Sequence, residues 1–288
     1  MNKINVLFFV LLMVSLSSCV SEKKDNDLKK DKLNGEVKSL MEISYRAVDK
    51  FGEILKQNKE RYYGTYNFDP YYLYDKNGNI IELSYYHSDG TLERKSIYKY
   101  QDKKKVEINI YGNDSTLIFK HKFKYINNNI IEEYIYYKDG NLSEKYVYKL
   151  DENGNKIESI SYDNVSNVIG KSIYKYDDKG KEISLSLVHS DGTPRYKYAS
   201  KYNDKGELIE YIIYDSEMKI ASRYTYKYDL NGNAVEQYHY DYENSQEKVQ
   251  RHETYSYEYD KKGNWISKVI YVNYEPMYKL EREISYYK

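Results

Sequence analysis

The chain is poor in cysteine, proline and tryptophan. Of its 288 residues, one is cysteine, three are proline and one is tryptophan. A lone thiol excludes an internal disulfide framework and any multi-cysteine metal or redox motif. Proline lacks the donor that a central strand needs, so its scarcity leaves room for long uninterrupted ladders. Charge of either sign is not in surplus: 45 Lys+Arg balance 45 Asp+Glu. A nucleic-acid binder should show a basic excess, so that class is disfavoured. No His-Glu-x-x-His, P-loop or Gly-x-Ser-x-Gly pattern occurs. Among the five histidines, His87 and His189 fill equivalent places in two Ser-Asp-Gly turns. Their likeness echoes a repeat and does not mark a metal pair.

Lys3 opens the chain, and an almost wholly apolar run from Ile4 to Leu16 follows. The run is shorter than the ~20 residues that span a bilayer, so residues 1–18 read as a signal peptide. Leu16-Ser17-Ser18-Cys19 resembles the lipobox of bacterial lipoproteins. That resemblance implies cleavage before Cys19, lipidation of this residue and anchoring without spanning. Valine at position 20 then favours the outer membrane, with the facing side open. Residues 19–34 are rich in Lys and Asp and are expected to form a charged tether.

What the chain has in abundance is tyrosine: 40 residues, against six Phe. Tyrosine favours strands and carries a wettable tip. Its placement is periodic. A Tyr-x-Tyr-Asp-x-x-Gly-Asn unit, clear at Tyr72–Asn79 and Tyr257–Asn264, recurs with its Asp slot at Asp49, Asp75, Gln101, Ile126, Asp151, Asp177, Asn203, Asp229 and Asp260. The spacings are 26, 26, 25, 25, 26, 26, 26 and 31, and only Lys104 and Asn129 replace the glycine three places on. A second turn, such as Ser88-Asp89-Gly90 or Ser190-Asp191-Gly192, falls half a period away. Asp-Gly and Asn-Gly between strand-like runs signal hairpins. Each unit is therefore two strands. Residues 35–288 are expected to form an all-β antiparallel hairpin meander of about 18 strands, curled, spiralled or closed, because open twisted sheets rarely exceed about 10 strands.

Alternation assigns the faces. Before the Asp slot, aromatics fall at every second residue, as at Tyr224, Tyr226 and Tyr228 or Tyr255, Tyr257 and Tyr259, and in six of nine units a Lys, such as Lys227, stands two places before the slot. After the turn come Ile or Leu and then Glu, as in Ile157-Glu158 and Ile209-Glu210. An even-membered turn would put tyrosine with isoleucine on one face, turned inward, and lysine with glutamate on the other. A three-residue loop with a bulge would mix the sets. On this scheme Ile80, Val106, Ile131, Leu208 and Trp265 join the charged face, as do Ile97, Val147 and Ile173, so part of that face should also be covered.

The unit resembles the YD repeats of the Rhs family, best at Tyr174-Lys175-Tyr176-Asp177-Asp178-Lys179-Gly180 and Tyr226-Lys227-Tyr228-Asp229-Leu230-Asn231-Gly232. In large members such repeats form β-stranded shells around a C-terminal toxin. Here the period is longer and a strand-like Ile284–Tyr287 closes the chain, so encapsulation is not implied. The hairpin plan is also loosely similar to MORN-type repeat lipoproteins.

The Asp series invites a calcium reading, but one acid per turn falls short of six to eight oxygen ligands, and a turn aspartate usually bonds its own backbone. No catalytic, cofactor or metal residue is assigned. Tyr224, Tyr226, Tyr228, Tyr255, Tyr257, Tyr259 and Trp265, beside the over-long unit near residues 241–248, form the candidate binding surface. The expected function is a non-enzymatic, lipid-anchored envelope module that binds or scaffolds a protein or polysaccharide. The YD resemblance implies an alternative, an immunity-like partner of a secreted toxin.

Overall fold

The computed structural model describes residues 26–60, 68–243 and 246–288. A short helix, α1 (Asp27–Lys30), precedes 19 strands, and every strand pair is antiparallel. The first strand, β1 (Val37–Lys50), pairs with the last, β19 (Glu275–Tyr286), so that Leu40 faces Ile284 and Arg46 faces Tyr278. Its other edge is shared. Residues 39–41 pair with β3 (Asp69–Tyr74), and residues 45–50 pair with β2 (Glu53–Lys59). Strand β1 and strands β3 to β19 thus close into a barrel of 18, and β2 prolongs β1 past one rim. Closure is the outcome that leaves no free sheet edge. The Asp49–Gly52 turn, expected to open the first regular unit, joins β1 to β2 at the opposite end from the other Asp turns.

Those of the turns that carry glycine are not even-membered, which corrects the expectation. Between β3 and β4 (Ile80–Tyr86) the loop is Lys76-Asn77-Gly78. The Asp75 amide donates to Asn79 O at 2.8 Å, and Gly78 adopts φ +81°, a conformation that glycine accepts without strain. Immediately beyond, the register slips by one residue: Tyr74 faces Ile80, but Leu73 faces Glu82. The two one-residue offsets cancel, so the tyrosine and lysine sets stay apart. The units without glycine reach the same result by another route. Gln101 pairs directly with Lys104 across a two-residue loop, Asp102 and Lys103 taking φ +49° and +64°. The missing residue is why those units run to 25 and not 26. The slip also rotates Ile80, Ile131, Leu208 and Trp265 onto the tyrosine face, opposite Tyr74, Tyr125, Tyr202 and Tyr259. Val106 is the extra residue of its own bulge.

Each Asp slot is explained by its turn. Asp75 Oδ1 accepts the Asn77 and Asn79 amides at 2.8 and 2.9 Å, and Asp151, Asp177, Asp229 and Asp260 repeat the pattern. Each tyrosine before the slot also has a fixed partner. The hydroxyls of Tyr100, Tyr125, Tyr176, Tyr202 and Tyr228 donate, at 2.7–3.0 Å, to the carbonyls of Ile80, Lys105, Lys156, Glu182 and Leu208. Every acceptor stands at the bulge of the preceding unit, where ladder pairing is broken. Phenylalanine would remove that bond.

The tyrosine face points inward, as α1 demonstrates. The Asn26 side chain donates to Asn77 O at 2.6 Å, while Lys32 Nζ donates to Gly232 O at 3.0 Å. Along the sheet those two turns lie six inter-strand steps apart, roughly 29 Å. Seven residues containing a helical turn reach about 15 Å. Even with Lys32 extended, they join the turns only across the concave side, and there they touch the tyrosine face. Leu28 and Leu33 are buried with Val37, Leu40 and Tyr74. From Asn26 on, the expected tether therefore lies against the barrel, held by these two leucines.

A ring of this many strands is wide enough to leave an aqueous interior. The tyrosines line it in wall clusters, such as Tyr174, Leu185 and Tyr198. Outside, lysine and glutamate pair across strands: Lys99 with Glu107 at 2.8 Å, Lys145 with Glu132 at 2.7 Å, Arg223 with Glu210 at 3.0 Å. A membrane-spanning barrel instead carries an outward apolar band. Ile97, Val147 and Ile173 do lie on this outer face; Ile97 and Val147 are half-buried, as expected of a partly covered face, while Ile173 is exposed. Tyr202→Phe, which strips the Glu182 carbonyl of its donor, should cost about 1 kcal/mol and lower the thermal midpoint. Tyr214→Phe on the outer face should leave that midpoint nearly unchanged.

Candidate functional site

The N-terminal stretch partly closes the mouth of the barrel at the Asp-turn end. The Leu28 amide donates to Gly78 O at 3.1 Å. Asp27 Oδ2 accepts the Ile80 amide at 2.8 Å. Asn34 and Asn264 exchange two bonds: the Asn34 amide donates to Asn264 Oδ1 at 2.7 Å, and Asn264 Nδ2 donates to Asn34 O at 2.9 Å. Between this strap and the turns before β14 (Leu208–Tyr214), β16 (Ala234–Glu243) and β18 (Trp265–Val272) lies a cavity of about 680 Å³. Its walls combine ammonium groups (Lys32, Lys181, Lys205), carboxamides (Asn231, Asn233) and the Trp265 indole. That volume suits a small organic ligand, for which pockets run about 300–1,000 Å³.

All seven residues of the expected binding surface stand on the inner face, but the structure does not gather them into one site. Tyr228 and Trp265 line the cavity. Tyr224 lies deeper, flat against His239 with ring centroids 4.3 Å apart. Tyr226 is buried nearby, and that burial pushes its phenol well above the usual range. Burial likewise holds Tyr224 and Tyr228 at about 12. Four of the hydroxyls have protein partners: Tyr228 donates to Leu208 O at 2.7 Å, Tyr255 to Glu253 at 2.6 Å, Tyr257 to Ala234 O at 2.6 Å and Tyr259 to Asp229 Oδ2 at 3.1 Å. The guanidinium of Arg282 sits 3.4 Å from the Trp265 ring centroid and pairs with Glu42 at 2.9 Å. Cys19, the expected lipidation residue, lies outside the described residues.

The long unit near 241–248 lies away from the cavity. It lengthens β16 and β17 (Gln246–Tyr259) into a hairpin at the opposite rim, with Glu243 facing Gln246. A second inner cluster is structural in form. Glu133 takes His121 Nδ1 at 2.7 Å on one oxygen and the Tyr148 hydroxyl on the other. The Lys156 ammonium lies 4.2 Å from the Tyr148 ring centroid. Among the described residues no group of three His, Cys, Asp or Glu is placed to hold a metal.

Several cavity residues went unnoticed in the sequence, although a signal existed. Four units carry Asn just after the turn glycine: Asn79, Asn155, Asn233 and Asn264. Three carry another residue there, Glu53, Lys181 and Glu207, and the last two line the cavity together with Asn233 and Asn264.

No family model matches the chain, and no curated protein matches it. Solved structures do show likeness. A porin-like protein from Bacteroides uniformis aligns over 88 % of this chain and 99 % of its own, at 10 % identity and TM-score 0.45. A porin-like protein from Bacteroides vulgatus covers the same shares at 13 % identity and TM-score 0.35. The TcdB2-TccC3-TEV structure aligns over 82 % of this chain but 15 % of its own, at 10 % identity and TM-score 0.29. The barrel described above rests on its strand pairings, and the YD and MORN resemblances rest on the motif residues alone.

The strap holds one titrating contact. Asp31 Oδ2 accepts the hydroxyl of Tyr74, a residue only 1 % exposed. Asp31 as a whole is exposed, but its carboxyl tip is withheld from water, which raises it from 3.8 to about 6. The docked strap therefore binds this proton more tightly than the free one, and docking is strongest in acid. Hydrogen exchange at the Leu28 and Leu33 amides should be slowest near pH 4 and speed up, beyond the intrinsic pH effect, as pH rises through 6. Asp31→Asn should remove that dependence.

Proposed function

We propose that the protein is a non-enzymatic binding module of the cell envelope, held at a membrane surface by lipid on Cys19 and offering its barrel to a polysaccharide or protein. The cavity at the strapped mouth carries this reading, since its walls supply donors, ammonium groups and aromatic surface. The charged outer face supports anchoring by lipid in preference to insertion of the barrel. No helix among the described residues is long and apolar enough to cross a membrane, a statement about helices alone. The lipobox-like Leu16-Ser17-Ser18-Cys19 puts the anchor seven residues ahead of the strap, so the mouth would face the membrane side of the barrel.

Metabolic labelling with a fatty-acid analogue should mark the protein, and Cys19→Ser should abolish both the label and partition with membranes. Lipid-free protein applied to envelope glycan arrays and used in pull-downs from envelope extracts should retain a partner. Silence in both assays would sink the binding role.

A further inference from the structure

The charge balance of the mouth cavity narrows its ligand. Five cationic residues line it: Lys29, Lys32, Lys181, Lys205 and Arg282. Glu42 holds Arg282. The ammonium groups of Lys32, Lys181 and Lys205 share the lining with two carboxyl residues, Glu207 and Asp31. Glu207 Oε2 already accepts Asn203 Nδ2 at 2.7 Å, and Asp31 is bonded to Tyr74. In a chain with no net charge, this is a local positive excess inside a concavity, where low-dielectric walls strengthen attraction for anions. The other walls suit neither a bare ion nor an apolar ligand. Asn231 and Asn233 offer both donors and acceptors, as hydroxyl groups require. Trp265, with Arg282 against it, and Tyr228, with Lys32 Nζ 5.7 Å from its ring centroid, add aromatic surface for the C–H side of a sugar ring.

Resting on the binding-module reading, we infer that the mouth cavity between the strap and the Asp turns takes an acidic oligosaccharide, its carboxylates bound by Lys181, Lys205 and Lys32 and one ring lodged beside Trp265. Charge-assisted bonds from ammonium to carboxylate would supply most of the orientation. Lys181 and Lys205 are exposed, so replacing them leaves the barrel intact. Trp265 is the only tryptophan, so its fluorescence reports on this cavity alone.

The test titrates lipid-free protein with tetragalacturonate, a neutral galactose tetramer and inorganic phosphate, following Trp265 emission and heat of binding. Tetragalacturonate should shift the emission, bind more weakly as salt rises, and slow hydrogen exchange at Leu33 and Asn34. The Lys181→Ala/Lys205→Ala double variant should lose at least tenfold in affinity at an unchanged thermal midpoint. Equal binding of the neutral tetramer, or phosphate alone binding as tightly as the uronate, would overturn the acidic-sugar assignment. Uronate binding that the double variant leaves intact would overturn this location while the binding-module reading stood. An array on which other envelope glycans bind but no uronate does would have the same effect.

Discussion

A hairpin loop decides which alternate residues of its two strands share a face, and in a closed ring that decision must be made the same way at every turn. Here the inner set is tyrosine and the outer set is lysine and glutamate. A single uncorrected three-residue loop would carry ammonium groups into the barrel and phenol rings out of it. The chain meets this constraint with paired offsets: a glycine-ended loop adds one residue, and a bulge directly beyond adds another, so that Leu73 still meets Glu82 and Lys227 still meets Glu236. Where glycine is absent the loop is one residue shorter, and a bulge again restores the faces. The constancy of the faces, and not of the period, is what the repeat preserves.

The bulges explain the choice of tyrosine. At five of those beside the Asp turns the hydroxyl of the next unit's tyrosine reaches a carbonyl across one repeat, as Tyr228 does to Leu208. Buried carbonyls without partners are costly, so the ring supplies apolar wall area and its tip completes the backbone. The same dual character lets the wall face a wet interior. Closure by β1 and β19 then removes both sheet edges, and the extra hairpin formed with β2 is accommodated at the rim.

The strap converts a plain barrel into one with a differentiated end. It is bound through turn carbonyls, which every unit presents, and through the turn asparagine Asn264, but it meets them only where its two leucines reach the buried group around Val37, Leu40 and Tyr74. Repeat departures at Lys181 and Glu207 lie against it. One side of the mouth is therefore chemically unlike the rest of the ring. Of the residues singled out for binding, Trp265 and Tyr228 belong to this place, Tyr259 pairs with Trp265 at the same level, and the other four line the wall at greater depth.

Composition and periodicity by themselves determined an all-β hairpin meander, its strand number to within one, the segregation of tyrosine from lysine and glutamate, and the turn role of aspartate. These are local properties: side-chain alternation has period two, and glycine marks positive φ. Turn parity was misread because two offsets that cancel leave the same pattern as none, and this sent Ile80, Ile131, Leu208 and Trp265 to the wrong face. Only the tertiary structure decided that the sheet closes and that Lys32, Lys181, Lys205 and Trp265 meet. Ring closure joins residues almost a chain length apart, such as Leu40 and Ile284. The cavity depends on a charged segment crossing a mouth that exists only once the ring has closed.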